Sequence, residues 1–136
     1  MDIDAAMKRI PPHSAEAEQA VLGAMLMNKE AVMVASEIIS GEDFYQTAYG
    51  ILFDAMVELF HKGKPIDLIT LQEHLKEKDV PPEVSSMEYA RDLLVGTQTS
   101  ANVKYYAEIV RDKATLRRLI KINEETANVC YLENKP

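Results

Sequence analysis

At 136 residues, 47 % of them apolar, the chain is long enough for one domain with its own core and too apolar to be disordered by default. Its net charge of −7 excludes a broadly basic duplex-binding surface, and the densest basic cluster, Lys113, Arg117, Arg118 and Lys121, allows at most a local stripe on one helix. A single cysteine, Cys130, excludes an internal disulfide and fits a reducing, cytoplasmic setting; no apolar run reaches the roughly 18 residues of a membrane span, and MDIDAAMKRI is no signal peptide.

Residues 1–13 read as a flexible arm whose end is held extended by Pro11 and Pro12. Ser14 is the expected N-cap of a helix, AEAEQAVLGAMLM, with Glu16 and Glu18 on its polar side in the first turns, where the helix dipole favours negative charge. Its apolar stripe is Ala17, Val21, Ala24 and Leu26, broadened by Ala20 and Met25. Gly23 costs this helix roughly 1 kcal/mol against alanine, and a close helix–helix approach would account for it. Asn28 is placed to cap a second helix over 29–39, followed by the loop Ser40-Gly41-Glu42-Asp43. A third helix is expected over 47–61, with Ile51, Leu52, Ala55, Met56, Leu59 and Phe60 on its apolar face. Gly63 fits the left-handed position beyond it, and Pro65 stops continuation.

Residues 66–70, IDLIT, are the one candidate for extended chain. Thr70 and Glu73 form a capping-box pattern for a short helix reaching 78. After Pro81-Pro82 the pattern returns as Ser85 and Glu88, ahead of MEYARDLLV and a closing Gly96. Ser100 then caps a last helix over 101–133, about 48 Å long. Val103, Tyr106, Ala107, Val110 and Ala114 form one stripe on it; Ile109, Leu116, Leu119, Ile120 and Asn123 form another. A helix with two apolar seams needs two partners: the body covers one, and the other needs cover from outside this chain. The fold class is therefore all-α, a compact body of about five helices over 14–97 with the long helix, 98–136, projecting from it.

Motifs for chemistry are missing. A phosphate loop needs G-x-x-x-x-G-K-[ST], whereas the sole Gly-Lys pair, Gly63-Lys64, is followed by Pro65 and has Glu58 where the first glycine belongs. His13, His61 and His74 are scattered and read as surface or boundary residues without metal-ligand spacing. No G-x-S-x-G nucleophile occurs, and Ser85-Ser86 reads as a cap. The carboxylate pairs Glu16/Glu18 and Glu124/Glu125 are expected in solvent. The aromatics are not interleaved with bases as in single-strand binders, and most are expected in the core. Composition and pattern stop at a helical interaction module without catalytic, cofactor-binding or metal residues.

Four motifs in order carry a more specific reading. They are PPHSAEAEQAVLGAML at 11–26, EDFY at 42–45, GKPIDLIT at 63–70, and ANVKYYAEIVRDK with LRRLI over 101–120. Together, covering roughly 10–132, they resemble the N-terminal domain of the bacterial and phage replicative DNA helicase (DnaB-like) family, with patterns P-P-x-S-x-E-A-E-x-x-V-L-G and G-x-P-V-D-x-V-T. The chain departs from the family at Ser85-Ser86, where Gly-Gly is usual, and at Tyr49, where histidine is frequent. The resemblance implies a helical body plus a helical hairpin. The segment 98–136 would be its first helix; the second, and an ATP- and Mg2+-dependent RecA-like motor, would follow. Hairpins pack in pairs, three pairs make the collar of a homohexamer moving 5′ to 3′ on single-stranded DNA, and the collar docks primase and takes part in loading by a helicase loader.

On that reading Leu116, Leu119, Ile120 and Asn123 are candidates for the hairpin and subunit contact, the plain alternative being packing on the chain's own body. Tyr89 is a candidate partner-facing aromatic or a core tyrosine. Glu16 contacts a partner or serves the helix dipole. Arg117 faces acidic groups on primase, strand phosphates or solvent. Two other classes stay open: the helicase-binding domain of primase, similar in build, and a small all-α enzyme resembling a chorismate mutase, which would need Arg91, Arg111, Arg117 and Arg118 to converge on one pocket.

Overall fold

The computed structural model describes residues 9–133. Among these residues it is all-helical: α1 (Ala15–Met27), α2 (Lys29–Ser36), a one-turn 3-10 helix (Gly41–Asp43), α3 (Thr47–His61), α4 (Leu68–Lys76), α5 (Met87–Val95) and α6 (Val103–Glu133). Of the expected arm, residues 1–8 lie outside the described part; Pro12 and His13 are half-buried against the body.

The core gathers around α1, which touches α2, α3, α5 and α6. A helix packed on several sides needs more than one apolar stripe. Accordingly Leu22, absent from the expected stripe, is fully buried with Val21, Ala24 and Met25. Gly23 has the close approach its cost implies: a Cβ there would lie 1.6 Å from Thr97 Oγ1 and 2.9 Å from the Leu93 carbonyl at the end of α5. The expectation that Glu18 faces solvent is wrong. Glu18 is 1 % exposed, and its carboxylate accepts the N–H groups of Tyr45 (2.9 Å) and Gln46 (3.2 Å). Gln46 heads α3 without a side-chain cap of its own, so a carboxylate from α1 serves that helix end.

Asn28 serves two helices. Its N–H donates to Ala24 O at 2.9 Å, and its side chain accepts the Glu30 N–H at 3.0 Å. Helix α2 stops three residues before the expected end, because the N–H groups of Ile38 and Ile39 both turn back to Ala35 O. The expected loop 40–43 is instead the 3-10 turn, closed by Ser40 N–H donating to Asp43 Oδ2 at 2.9 Å. This turn lies so close to α3 that a Cβ on Gly50 would sit 2.4 Å from Gly41 O.

Helix α3 ends in a Schellman arrangement: Gly63, at φ 66°, donates to Phe60 O (3.1 Å) and Lys64 N–H to Leu59 O (3.0 Å). Two starts differ from expectation. Asp67, not Thr70, caps α4: its carboxylate accepts the Thr70 N–H at 2.8 Å, which holds it below its ordinary range, while Thr70 Oγ1 accepts the Asp67 N–H at 3.0 Å. The helix therefore begins inside the stretch expected to be extended. Likewise Ser86, not Ser85, caps α5 by accepting the Tyr89 N–H. Tyr45, Tyr105 and Tyr131 are exposed rather than core.

His74 is buried, contrary to its reading as a surface or boundary residue, with Nε2 3.3 Å from Glu58 Oε1. The Lys78 ammonium, 2.9 Å from Glu58 Oε2, holds the Glu58 carboxyl below its ordinary 4.5, against a smaller opposing effect of burial. Because the folded value is the lower one, this pairing stabilises the fold above pH 4.5 and is lost as the pH falls through the folded value.

Two outcomes are expected. Gly50→Ala lowers stability by about 1–3 kcal/mol in urea unfolding, since backbone has to yield; an unchanged midpoint contradicts the close approach. The stability gap between the parent and Lys78→Met is constant near neutrality and closes under acid; a gap independent of pH refutes the Glu58 pairing.

Candidate functional site

Helix α6 changes character along its length. Val103, Ala107, Val110 and Ala114 are buried on the body. Beyond them every residue from 118 to 133 is exposed. Small alanines on the inner stripe bring α6 close to α1 and α2, and the large apolar residues are left on the outer side. Leu116, Leu119 and Ile120 are 45, 51 and 44 % exposed, and Asn123 is exposed between them. Ile122 and Val129 are exposed too, but on the side of the helix turned away from Ile120, since residues two and nine positions on point roughly opposite to it. Sequence reading missed this pair, although the spacing 119, 122, 126, 129 is itself a helical stripe. The body thus leaves an apolar surface on the projecting helix uncovered.

Arg117 and Asn123 also border a groove of about 740 Å³ with Ile120 and Pro12. Arg117 nevertheless points its guanidinium at its own chain. It donates to Pro12 O (2.8 Å) and Asp43 O (2.7 Å) and lies 5.7 Å from the Tyr45 ring centre. Arg118 pairs with the buried Asp43 carboxylate. Neither arginine faces open solvent alone. Sequence reading missed Asp43, because no local spacing links it to a helix 75 residues away.

Glu16 and Tyr89 come together elsewhere, in a cleft of about 570 Å³ between α1, α3 and α5. Tyr89 is half-buried, its ring 6.0 Å from Tyr49, and burial, with Tyr49 next, raises its phenol above the ordinary range. Tyr49 OH accepts a hydrogen bond from Gln19 Nε2 at 2.9 Å. Glu16 and Asp92 supply the charged groups of this lining. The cleft is thus aromatic and acidic, and separate from the α6 seam.

The arginines an acid-binding enzyme would need do not converge: Arg91 lies on Met87 Sδ, Arg111 on Asp112, and Arg117 and Arg118 on the 3-10 turn. A nucleotide does not fit the Gly63-Lys64 turn either, since the N–H groups of Lys62, Gly63 and Lys64 are taken by α3 carbonyls. No group of three or more His, Cys, Asp or Glu side chains suited to a metal occurs among the described residues. Nor is any described helix long and apolar enough to cross a membrane.

The sequence model for the DnaB-like helicase N terminal domain matches residues 10–112. The replicative DNA helicase DnaB of Geobacillus stearothermophilus is 45 % identical over 91 % of this chain and 27 % of its own length. The replicative DNA helicase DnaC of Bacillus subtilis is 42 % identical over 83 % of this chain and 25 % of its own. The chain thus spans about a quarter of the length of the curated relatives it matches. Among solved structures, the N-terminal domain of DnaB helicase from Mycobacterium tuberculosis superposes with a TM-score of 0.87 at 34 % identity, covering 90 % of this chain and 88 % of that one. The corresponding Helicobacter pylori domain gives 0.72 at 17 % identity, over 96 % of this chain and 99 % of that one, a likeness of fold. With its helical body, its long last helix and these matches, the chain belongs to the DnaB-like helicase N-terminal domain family.

Proposed function

We propose that this chain is the association and docking module of a replicative hexameric DNA helicase. The observation that carries the reading is the exposed apolar seam of α6 formed by Leu116, Leu119 and Ile120. Water-exposed apolar area of this kind is relieved by helix packing. Helix α6 is then the first helix of a hairpin, 98–136, and 14–97 is the body that holds it. Its seam takes the return helix and the hairpin of a second copy. Such pairs, three to a ring, form the collar of a homohexamer.

In the whole protein a separate motor would hydrolyse ATP with Mg2+ and move along single-stranded DNA; none of that chemistry belongs to residues 9–133. The cleft holding Glu16 and Tyr89 offers primase a docking place apart from the seam, with an aromatic floor and acidic lining. Support comes from the Helicobacter pylori domain of the same fold, described together with its interactions with primase. A helicase loader is a further partner of the assembled collar.

The seam is tested by sedimentation. The isolated chain is expected to equilibrate between monomer and dimer, and Ile120→Asp to shift it to monomer with unchanged helicity; a parent that stays monomeric at high concentration sinks the reading. Docking is tested by titrating the helicase-binding domain of primase calorimetrically. Tyr89→Ala is expected to weaken binding by about tenfold, in the range for an aromatic anchor. Equal affinity of parent and variant removes the cleft from the docking surface.

A further inference from the structure

Helix α6 loses its apolar hold on the body after Ala114, its last buried residue. At that point two guanidiniums take over. Arg117 bonds two carbonyl oxygens on different segments, Pro12 and Asp43. Arg118 reaches the Asp43 carboxylate, whose second oxygen is held by the Ser40 N–H at 2.9 Å. The Tyr45 ring under Arg117 is itself stacked on His13, with ring centres 4.1 Å apart. Successive helix residues point about 100° apart, so the two arginines leave the helix in different directions, converge on Asp43, and through Arg117 also reach Pro12. One contact would serve as a pivot, whereas two contacts that are not parallel restrain both tilt and rotation. Arginine suits such a joint, because its planar fork satisfies two acceptors at once and its bonds to a carboxylate are charge-assisted.

We propose that Asp43, Arg117 and Arg118 are positioning residues that fix the direction in which the outer half of α6 leaves the body. Resting on the association reading above, this assigns Arg117 to aiming the seam rather than to being part of it. Two copies can join along α6 only when both helices arrive at a matching angle. The joint supplies that angle in advance, so its loss leaves the seam apolar and helical but presented in many directions.

Spin labels on Cys130, exposed in the outer half of α6, and on Lys62→Cys at the end of α3 read the angle directly. Labelled chain is diluted into unlabelled chain, so that double electron–electron resonance reports single copies. A narrow distance distribution is expected for the parent joint. Arg117→Ala/Arg118→Ala is expected to broaden it and shift its mean while helicity is kept, and Arg118→Lys, which retains the ion pair, to stay narrow. Should the double variant not fold, Asp43→Asn keeps an acceptor for the Ser40 N–H and is expected to broaden the distribution as well. A distribution identical to the parent's in the double variant, or in Asp43→Asn where the double variant does not fold, overturns the joint, whatever the melting temperature. The readout does not depend on self-association, so a failed joint and a failed seam are told apart.

Discussion

The Glu18 carboxylate lies almost wholly out of water and accepts the N–H groups of Tyr45 and Gln46. A buried charge without partners costs several kcal/mol, so α1 and the start of α3 are committed to each other. That commitment fixes more than one helix end. The segment it anchors carries Asp43, which meets Arg118, and Tyr45, which stacks on His13 and lies near the Arg117 guanidinium. A line of polar contacts therefore runs from the centre of the body to the base of the projecting helix. Each step joins segments far apart in sequence, and each hands on a fixed orientation.

The two halves of α6 meet different needs with different side chains. The inner half places alanines and valines against α1 and α2, which allows close packing. The outer half turns leucines and isoleucines away from the body. A lone helix of that composition is marginal in water, since most helical stability in proteins comes from packing. Its inner half, held by the core and the arginines, serves as a ready nucleus for the rest. Under the proposed association, a partner would meet a preformed surface and have less ordering to bring about.

Much of this was legible in the sequence, because it rests on local rules. The boundaries of α1 and α3, the left-handed Gly63 and the close approach at Gly23 follow from caps, periodicity and the scarcity of glycine inside helices. So do the two stripes of α6, one buried and one exposed. What was not legible depends on tertiary partners. Glu18 reads as a first-turn acid, and only the arrival of the 45–46 segment makes it a buried cap. Thr70 reads as an N-cap, but Asp67 three residues earlier completes the same box with Thr70 at its other end. Arg117 reads as a surface base because Pro12 and Asp43 lie 105 and 74 residues away. His74 is buried through contacts made by α3, which no spacing within α4 reveals. The cleft was half legible: Glu16 and Tyr89 were singled out separately, and the fold brings them together with Tyr49.

Asn28 closes α1 with its backbone and opens α2 with its side chain, leaving no linker between the two helices. Because one residue fills both roles, adding or deleting a position there separates them and rotates one helix against the other by a large part of a turn. Length variation is better absorbed where no helix is interrupted, as in the proline-bearing stretch between α4 and α5. An inserted residue is thus absorbed at 77–86 at far less cost to the packing than at the corner formed by Asn28.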